Sequence, residues 1–386
     1  MHIVVEYIHI VESEAMSPSA CKNLPLEITE AIILPLLPPK SLARFKSVSK
    51  TWNSLISSPH FIKTHLLQTH HTTQLIALST TGSLYSIDIT ETLLYLDSDD
   101  IPATAKELRI RSPPLRWKEI LGSCNGLLLA KDENNTMFVM NPMTQDLWKV
   151  PLCPFAPVYE EVYVRYGFGY DSSTDDYKIV SMSFWNPYSY HDSKETFVCV
   201  YSLRNNSWRK LPDCNYYEHD YTVVDDFING ALINQSLHWL TRQFEIVGFN
   251  LASEEFKQMK FPVSVGFYRG LFTSMVDVGG KLGVFMRSEA GFECCVMEEY
   301  GVAESWTKVR IHGFEEEDRV RPVCLLQGRN REIVFQETEG GVVVYNIDER
   351  RRRDVRIVGG PGGNVNVFPG TFVESLESPK RVMIAS

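Results

Sequence analysis

FVMNPMTQDLWKVP, residues 138–151, and VYSLRNNSWRKLP, residues 200–212, share one layout: an apolar run, a polar turn, and an aromatic opening a second short run. The runs are rich in β-branched and aromatic residues and are bounded by Asn, Pro and Ser, the composition of short strands joined by tight turns. The layout returns in VGFNLASEEFKQMKFP (247–262), VMEEYGVAESWTKVRI (296–311) and VVYNIDERRRRDVRIVG (343–359). Trp148, Trp208, Phe256 and Trp306 mark it at intervals of about 50 to 60 residues, and the fifth copy carries arginines in the aromatic's place. Units of this size, with about four strands each, are the size of propeller blades. One such unit cannot bury both faces alone, so units stack around an axis and the ring closes. QLIALSTTGSLYSIDI (74–89), running on to Trp117, reads as an earlier unit. GTFVESL (370–376) reads as a strand with no partner of its own, and Thr371–Leu376 is expected to complete the first unit and join the chain ends. The expected fold is mainly β, a small N-terminal helical segment followed by an irregular, kelch-like β-propeller. Six blades are preferred over five or seven, and the uneven spacing leaves a β-sandwich or solenoid as the rival.

Working back from the repeats, the pattern changes near residue 70. Residues 23–66, NLPLEITEAIILPLLPPKSLARFKSVSKTWNSLISSPHFIKTHL, place Leu42, Phe45, Val48, Trp52, Leu55 and Ile56 at steps of three and four, with Ile28 and Ile32 ahead of Pro35, Pro38 and Pro39. A helical piece of this length lies near the lower limit for folding alone. It also has more apolar positions than its own core can use, so part of the surplus is expected to pack on a partner.

Composition narrows the classes. The chain has 386 residues, is 44% hydrophobic, and 38 Lys and Arg against 48 Asp and Glu give a net charge of -10. A nucleic-acid binder is expected to carry a basic excess. No apolar run approaches the roughly 18 residues that cross a bilayer. The first residues, MHIVVEYIHIVESEA, have no Lys or Arg ahead of the apolar stretch and make a poor secretory signal; Met16 is a second candidate start. Eight cysteines without a C-x-x-C pair fit a reduced, intracellular protein, and in strand-like sequence Cys294 and Cys295 point to opposite faces. The sequons at Asn134, Asn205 and Asn234 have no access to glycosylation without a secretory signal, and the first two lie in hairpin-like turns where Asn is favoured anyway.

Several motifs carry a family resemblance. Leu24 and Pro25, the Pro-Lys-Ser-Leu turn at 39–42 and RFKSVSKTWNSLISSPHF at 44–61 resemble an F-box. GSCNGLLL (122–129), YGFGYDSSTDDYKIV (166–180), VYSLRNNSWRKLP, FINGALINQSLHWL (227–240) and EYGVAESWTKV (299–309) are similar to the F-box-associated interaction domain of the plant F-box/kelch-repeat family. Departures are the extra proline at Pro35 and the lack of an intact kelch double glycine. The resemblance implies an N-terminal extension to residue 21, expected to be disordered, an F-box at 22–66 and a propeller at 67–386. It also implies a non-catalytic substrate-recognition subunit of a Skp-cullin-F-box ubiquitin ligase, placed in the cytoplasm or nucleus. The partners would be a Skp-type adaptor, cullin through it, and an unknown target protein, with no cofactor, nucleic acid or membrane. Positions matching the adaptor-binding ones are Leu24, Pro25, Ile28, Ile32, Leu42, Phe45, Val48 and Trp52, with Phe45 and Trp52 also suited to the segment's own core. Family members serve in defence signalling and in pollen self-incompatibility, and the targets differ.

Other conspicuous groups read as structural. His70 and His71 have no further metal ligands nearby. GGPGG at 359–363 lacks the Lys-Ser/Thr of a phosphate loop, Arg350–Arg353 reads as an exposed turn, and DSSTDD at 171–176 reads as a tight turn. No catalytic motif emerges. A sugar-binding or sugar-oxidising propeller, or a scaffold with an unused F-box, are the alternatives. Val158–Val164, Trp185–Glu195 and Asn215–Val224, rich in Tyr and acidic residues, are the candidate target-binding segments.

Overall fold

The structure is a computed structural model of the chain. It describes residues 32–68, 73–89, 100–110, 115–156, 162–185, 197–212, 230–241, 245–261, 274–288, 291–312, 314, 320–326, 332–337, 340–360, 365–368 and 372–384.

A 3-10 turn at Leu34–Leu36 opens the described helical part, followed by α1 (Pro39–Phe45), α2 (Lys50–Ile56) and α3 (Pro59–Gln68). The prolines that interrupt the periodicity set these boundaries. Pro35 sits at the start of the 3-10 turn, Pro39 begins α1, and Leu37 and Pro38 between them are extended, each with ψ near 147°. A proline in the first turn gives up no hydrogen bond, so three of them can punctuate the segment without breaking a helix. Ser49 caps α2 by accepting from the Trp52 amide at 3.0 Å, and Ser58 accepts from the Phe61 amide at 3.2 Å at the start of α3.

The rest is β-structure. The first unit contains β1 (Thr73–Ser79), β2 (Leu84–Asp88) and β3 (Asp100–Glu107). The second contains β4 (Trp117–Cys124), β5 (Leu127–Asp132), β6 (Met137–Asn141) and β7 (Asp146–Lys149). The third contains β8 (Val162–Asp171), β9 (Asp176–Trp185), β10 (Phe197–Ser202) and β11 (Ser207–Lys210). The fourth runs through β12 (Ala231–Ile233), β13 (Ser236–Leu240), β14 (Glu245–Asn250) and β15 (Phe256–Lys260). β16 (Ser274–Val278), β17 (Lys281–Ser288), β18 (Gly291–Met297) and β19 (Trp306–Ile311) form the fifth; β20 (Val320–Leu326), β21 (Glu332–Glu337), β22 (Val342–Asn346) and β23 (Arg351–Val358) form the sixth. Each is an antiparallel meander, the second to fifth being separate four-stranded sheets. The first and sixth are fused, because β23 pairs with β3 in parallel, Asp354 opposite Asp100 through Val358 opposite Thr104. β3 and β23 are the outermost strands of their units, and the outermost strands of neighbouring meanders run in the same sense, so where two meet they can pair only in parallel.

The apolar residues fall into one core between each pair of neighbours. Leu121, Val139, Tyr177 and Tyr201 fill the gap between second and third units, and Val180, Val200, Leu237 and Phe249 that between third and fourth. Leu282 and Ile246 join fourth to fifth, Phe285 and Phe335 fifth to sixth, Val344 and Leu75 sixth to first, and Ile76 and Leu128 first to second. The chain of shared cores returns to its origin, the arrangement of a β-propeller-like ring.

Ring closure differs in detail from the sequence reading. The closing segment is split: β24 (Val365–Val367) pairs with Ala77–Ser79, and β25 (Phe372–Val373) with Thr73 and Gln74. Closure therefore begins at Val365, and the chain leaves the sheet after Val373 instead of continuing as a strand to Leu376. Trp117 opens β4 and belongs to the second unit, not to the end of the first.

Two markers are also corrected. Trp208, opposite Tyr201, faces the preceding unit and donates its indole N–H to the Pro151 carbonyl at 2.8 Å. Trp306, opposite Met297, does the same to the Lys260 carbonyl at 3.1 Å. Leu147, opposite Met140, holds that register position in the second unit; Trp148, one residue on, faces the following unit and donates to Tyr201 Oη at 3.2 Å. A shift of one residue along a strand turns the side chain to the other face. The arginine run is the other correction: only Arg350 is in the turn, with φ 54°, while Arg351–Arg353 begin β23. Arg353 is buried and ion-paired to Glu332, and Arg352 pairs with Glu337 at 2.6 Å. A buried guanidinium persists because its carboxylate neutralises it.

The turn readings fit the described residues. Asp171 accepts from the Ser173 amide at 2.9 Å, the Thr174 hydroxyl at 2.7 Å and Lys178 at 2.8 Å, folding DSSTDD back between β8 and β9. Asn134, Asn205 and Asn234 all lie in turns. The six described cysteines are free thiols, and Cys294 and Cys295 enter different cores.

Candidate docking surface of the helical segment

The helices enclose a small core of Leu34, Leu37, Leu42, Ile56, Phe61 and Ile62, with Phe45, Trp52 and Leu55 packed at its edge. His65 is buried beside it, stacked on Phe61 with ring centroids 6.0 Å apart, and donates from Nε2 to the Leu37 carbonyl at 2.8 Å. That bond satisfies an oxygen in the extended stretch between the 3-10 turn and α1, where no helix partner exists.

This core divides the residues that the sequence proposes for adaptor binding. Leu42 is 0% exposed, enclosed in this core. Phe45 and Trp52 pack against each other, centroids 5.4 Å apart, and against the core. Ile32 at 53% and Val48 at 63% remain exposed. Leu24, Pro25 and Ile28 lie outside the described residues. Leu36, 46% exposed, and Leu67, 83% exposed, join the apolar surface and were not singled out by sequence. Leu36 follows Ile32 by four positions, a helical spacing hidden by Pro35 between them.

The core is completed from outside the segment. Leu376, near the C-terminus, is 2% exposed within it, and Met143 from the turn between β6 and β7 packs on its edge. Lys40 reaches Glu374 at 2.6 Å, and Lys63 reaches Asp175, in the turn between β8 and β9, at 2.9 Å. Tyr170 donates to Asp175 at 2.5 Å, and its ring lies under the Lys63 ammonium at 5.7 Å. The hydrogen bonds to Tyr170 and Asp175 raise the Lys63 pKa. Burial lowers that of Lys46 at the same junction, where Asp146 opposes the shift and Arg381 adds to it. The helical segment thus rests on the ends of the second and third units, over their short turns.

Among the described residues no group of three or more His, Cys, Asp or Glu is arranged to hold a metal ion, and no helix is long and apolar enough to cross a membrane. A helical module with exposed apolar side chains, seated on one end of a β-propeller-like ring, defines a two-part binding protein. Residues 21–68 match the F-box-like family, and residues 85–374 match the family described as F-box associated beta propeller domain. The chain belongs to the F-box proteins that carry this associated propeller domain. An F-box/kelch-repeat protein of Arabidopsis thaliana is 31% identical over 350 residues, covering 85% of this chain and 89% of that protein. The F-box protein CPR1 of the same plant is 29% identical over 368 residues, 87% of this chain and 84% of its own length. A third Arabidopsis F-box protein is 23% identical over 337 residues, 80% of each chain.

Proposed function

We propose that the chain is the substrate-recognition subunit of a Skp-cullin-F-box ubiquitin ligase. Its helical segment, with bounds near residues 22–66, takes a Skp-type adaptor, cullin is engaged through that adaptor, and the ring holds a target protein. The chain itself contributes proximity and orientation, not bond-making chemistry. The observation that carries this reading is the surplus of apolar surface on the helical segment: Ile32, Leu36 and Val48 stay exposed although the core beneath them is complete. Apolar helix residues left in water are suited to a groove on a partner. In this reading Ile32, Val48 and the newly found Leu36 meet the adaptor together with Leu24, Pro25 and Ile28, while Leu42 shapes the surface from beneath.

The target side is assigned to the opposite end of the ring. In a meander the first and third turns share one end, and those at 125–126, 142–145 and 172–175 are the short ones beneath the helical segment. The connections leaving from the other end include residues 150–161, 186–196 and 211–230, much longer and containing most of the candidate target segments. Of these segments only 162–164 and Trp185 are described. Tyr163, at the start of β8, is half exposed and stacked on Phe184 at 6.1 Å, with the Arg165 guanidinium 5.6 Å over the same ring. Exposed aromatics of this kind serve as interface anchors, and the acidic loops suit a basic patch on the target. The test is co-purification of the full chain with a Skp-type adaptor; a chain that stays alone at micromolar concentrations of both sinks the proposal.

A further inference from the structure

The last described residues, 374–384, are neither strand nor free end. After β25 the chain crosses beneath the helical segment and finishes in a short helix, α4 (Pro379–Ile384). Its upper side belongs to the F-box: Leu376 completes that core and Glu374 holds Lys40. Its lower side belongs to the ring. Asn141, 0% exposed at the end of β6, donates its amide to the Ser375 carbonyl at 2.9 Å and to the Glu377 carbonyl at 2.7 Å. Ser375 Oγ donates to the Asn125 carbonyl at 2.8 Å, and a Cβ added to the neighbouring Gly126 would collide with Ser375 Oγ. Glu377 accepts from Tyr177 Oη at 3.4 Å and pairs with Arg381, and Val382 enters the core between second and third units.

Asn141 has an ordinary origin. Asn250 and Asn346 hold the same place in other units, and all three use Oδ1 to accept from amides of their own turn: Met143 at 2.8 Å, Ala252 at 2.9 Å and Glu349 at 2.8 Å. Turn-capping needs only the oxygen. At Asn141 the amide that capping leaves over is aimed at the tail, so a repeat residue gains a second task.

We infer that residues 374–384 are a strut, clamped by Asn141, that fixes the F-box at one angle to the ring and so decides which lysines the ligase can reach. This rests on the proposed ligase function, because an angle matters only where one end delivers what the other holds. Leu376 cannot leave the F-box core without exposing it, and Ser375 and Glu377 cannot leave Asn141 without stranding buried polar groups. Movement of one part therefore has to break contacts on both sides of the tail.

The test uses the full chain with spin-labelled residues placed at Lys50 and Lys257, and pulsed dipolar spectroscopy of the distance between them. Asn141→Asp keeps the turn-capping oxygen but faces the two tail carbonyls with a carboxylate. The expected result is a single narrow distance in the parent and loss of that peak in the variant. A second variant ends the chain after Glu374, keeping β25 and the Lys40–Glu374 pair while removing the rest of the strut; it carries the test if Asn141→Asp does not fold. In parallel, the ligase is reconstituted with adaptor, cullin and ubiquitin-conjugating enzyme, and the receptor's own modified lysines are mapped by mass spectrometry. The parent should be marked on a restricted set, the loosened variants on a wider one. A distance distribution equally narrow in both variants overturns the strut, and an unchanged set of lysines despite a broadened distance overturns its bearing on delivery. Failure of the parent to bind adaptor would instead strike the ligase reading and leave the distance measurement standing.

Discussion

Replacing Ile32, Leu36 and Val48 together with serine separates a docking surface from a core. These side chains are 53%, 46% and 63% exposed, so roughly half of each is already covered within the chain. Fully burying such a side chain is worth about 1.5–3 kcal/mol, which leaves about 1 kcal/mol each, or about 3 kcal/mol in all, for a partner to gain. Ordering on association takes a share of this. The expected loss of affinity for the Skp-type adaptor is about 30- to 100-fold, at about 1.4 kcal/mol per tenfold. Titration calorimetry on the purified full chain reads the affinity, and thermal melting reads the fold. The triple variant should retain the cooperative melt of the ring. Leu42→Ala is the control in the other direction. At 0% exposure its loss should cost about 2–5 kcal/mol of helical-segment stability, seen as early proteolysis between α1 and α3, with adaptor binding falling only as that segment opens. An adaptor affinity of the triple variant within about threefold of the parent would refute the assignment of these residues to the interface.

Three further outcomes follow from the ring. Trp208→Phe removes the N–H donated to Pro151 while keeping a ring in the core, and should lower stability in a denaturant titration by about 1–2 kcal/mol. His238 is fully buried, donating from Nδ1 toward the Ala231 carbonyl at 3.3 Å and accepting from Tyr300 Oη at 2.8 Å, and burial pushes its pKa down to about 4. The unfolded chain protonates near 6.5, so the contribution is whole above that pH and is lost as pH falls from about 6.5 to 4, about 3 kcal/mol in total. His238→Gln should flatten this part of the stability–pH curve, and an unchanged slope would point to other groups. Ending the chain after Gly370 removes β25 and the strut together; β1 then has an unpaired edge over Thr73 and Gln74, and the product should aggregate or melt without cooperativity. A monomer that melts like the parent would show that closure does not depend on these residues.

The ring was legible because a strand buried between two cores repeats its composition wherever it occurs, and tight turns announce themselves by Asn, Asp and Gly. What local pattern could not supply was the register. Trp148 and Trp208 look equivalent in FVMNPMTQDLWKVP and VYSLRNNSWRKLP, but pairing places Leu147 and not Trp148 opposite the residue that corresponds to Tyr201. The two turns are equally long, so it is the tryptophan's place on its strand, one residue further from the turn at Trp148 than at Trp208, that decides which neighbour the indole faces. The docking surface had the same limit. Periodicity found the helices and gathered Leu42 with Val48, but which of the two points inward depends on α2 and α3 closing over α1. Leu36 was masked by a proline that makes a 3-10 turn instead of ending structure. Arg353 read as solvated because its neutralising partner, Glu332, lies on another strand.

The strut was the least legible element, and the reason bears on how the molecule assembles. SLESPKRVM, residues 375–383, spreads Leu376, Val382 and Met383 among polar and charged residues, and the sequence reading assigns its first two residues to the closing strand and no role to the rest. Its partners lie far back in the chain: Asn125, Asn141 and Tyr177 on the ring, Leu34 and Ile62 in the F-box. Contacts of such separation carry the largest loop-closure entropy and form after local ones are in place. The meanders from second to fifth can each form from neighbouring sequence. The first cannot be completed until Val365–Val367 and Phe372–Val373 arrive at β1, and Leu376 follows them by only three residues. Closing the ring and seating the F-box core are therefore nearly one event. An incomplete ring leaves Leu34, Leu42 and Ile62 without their C-terminal cover, so the docking module is mounted firmly only on a propeller that has already closed.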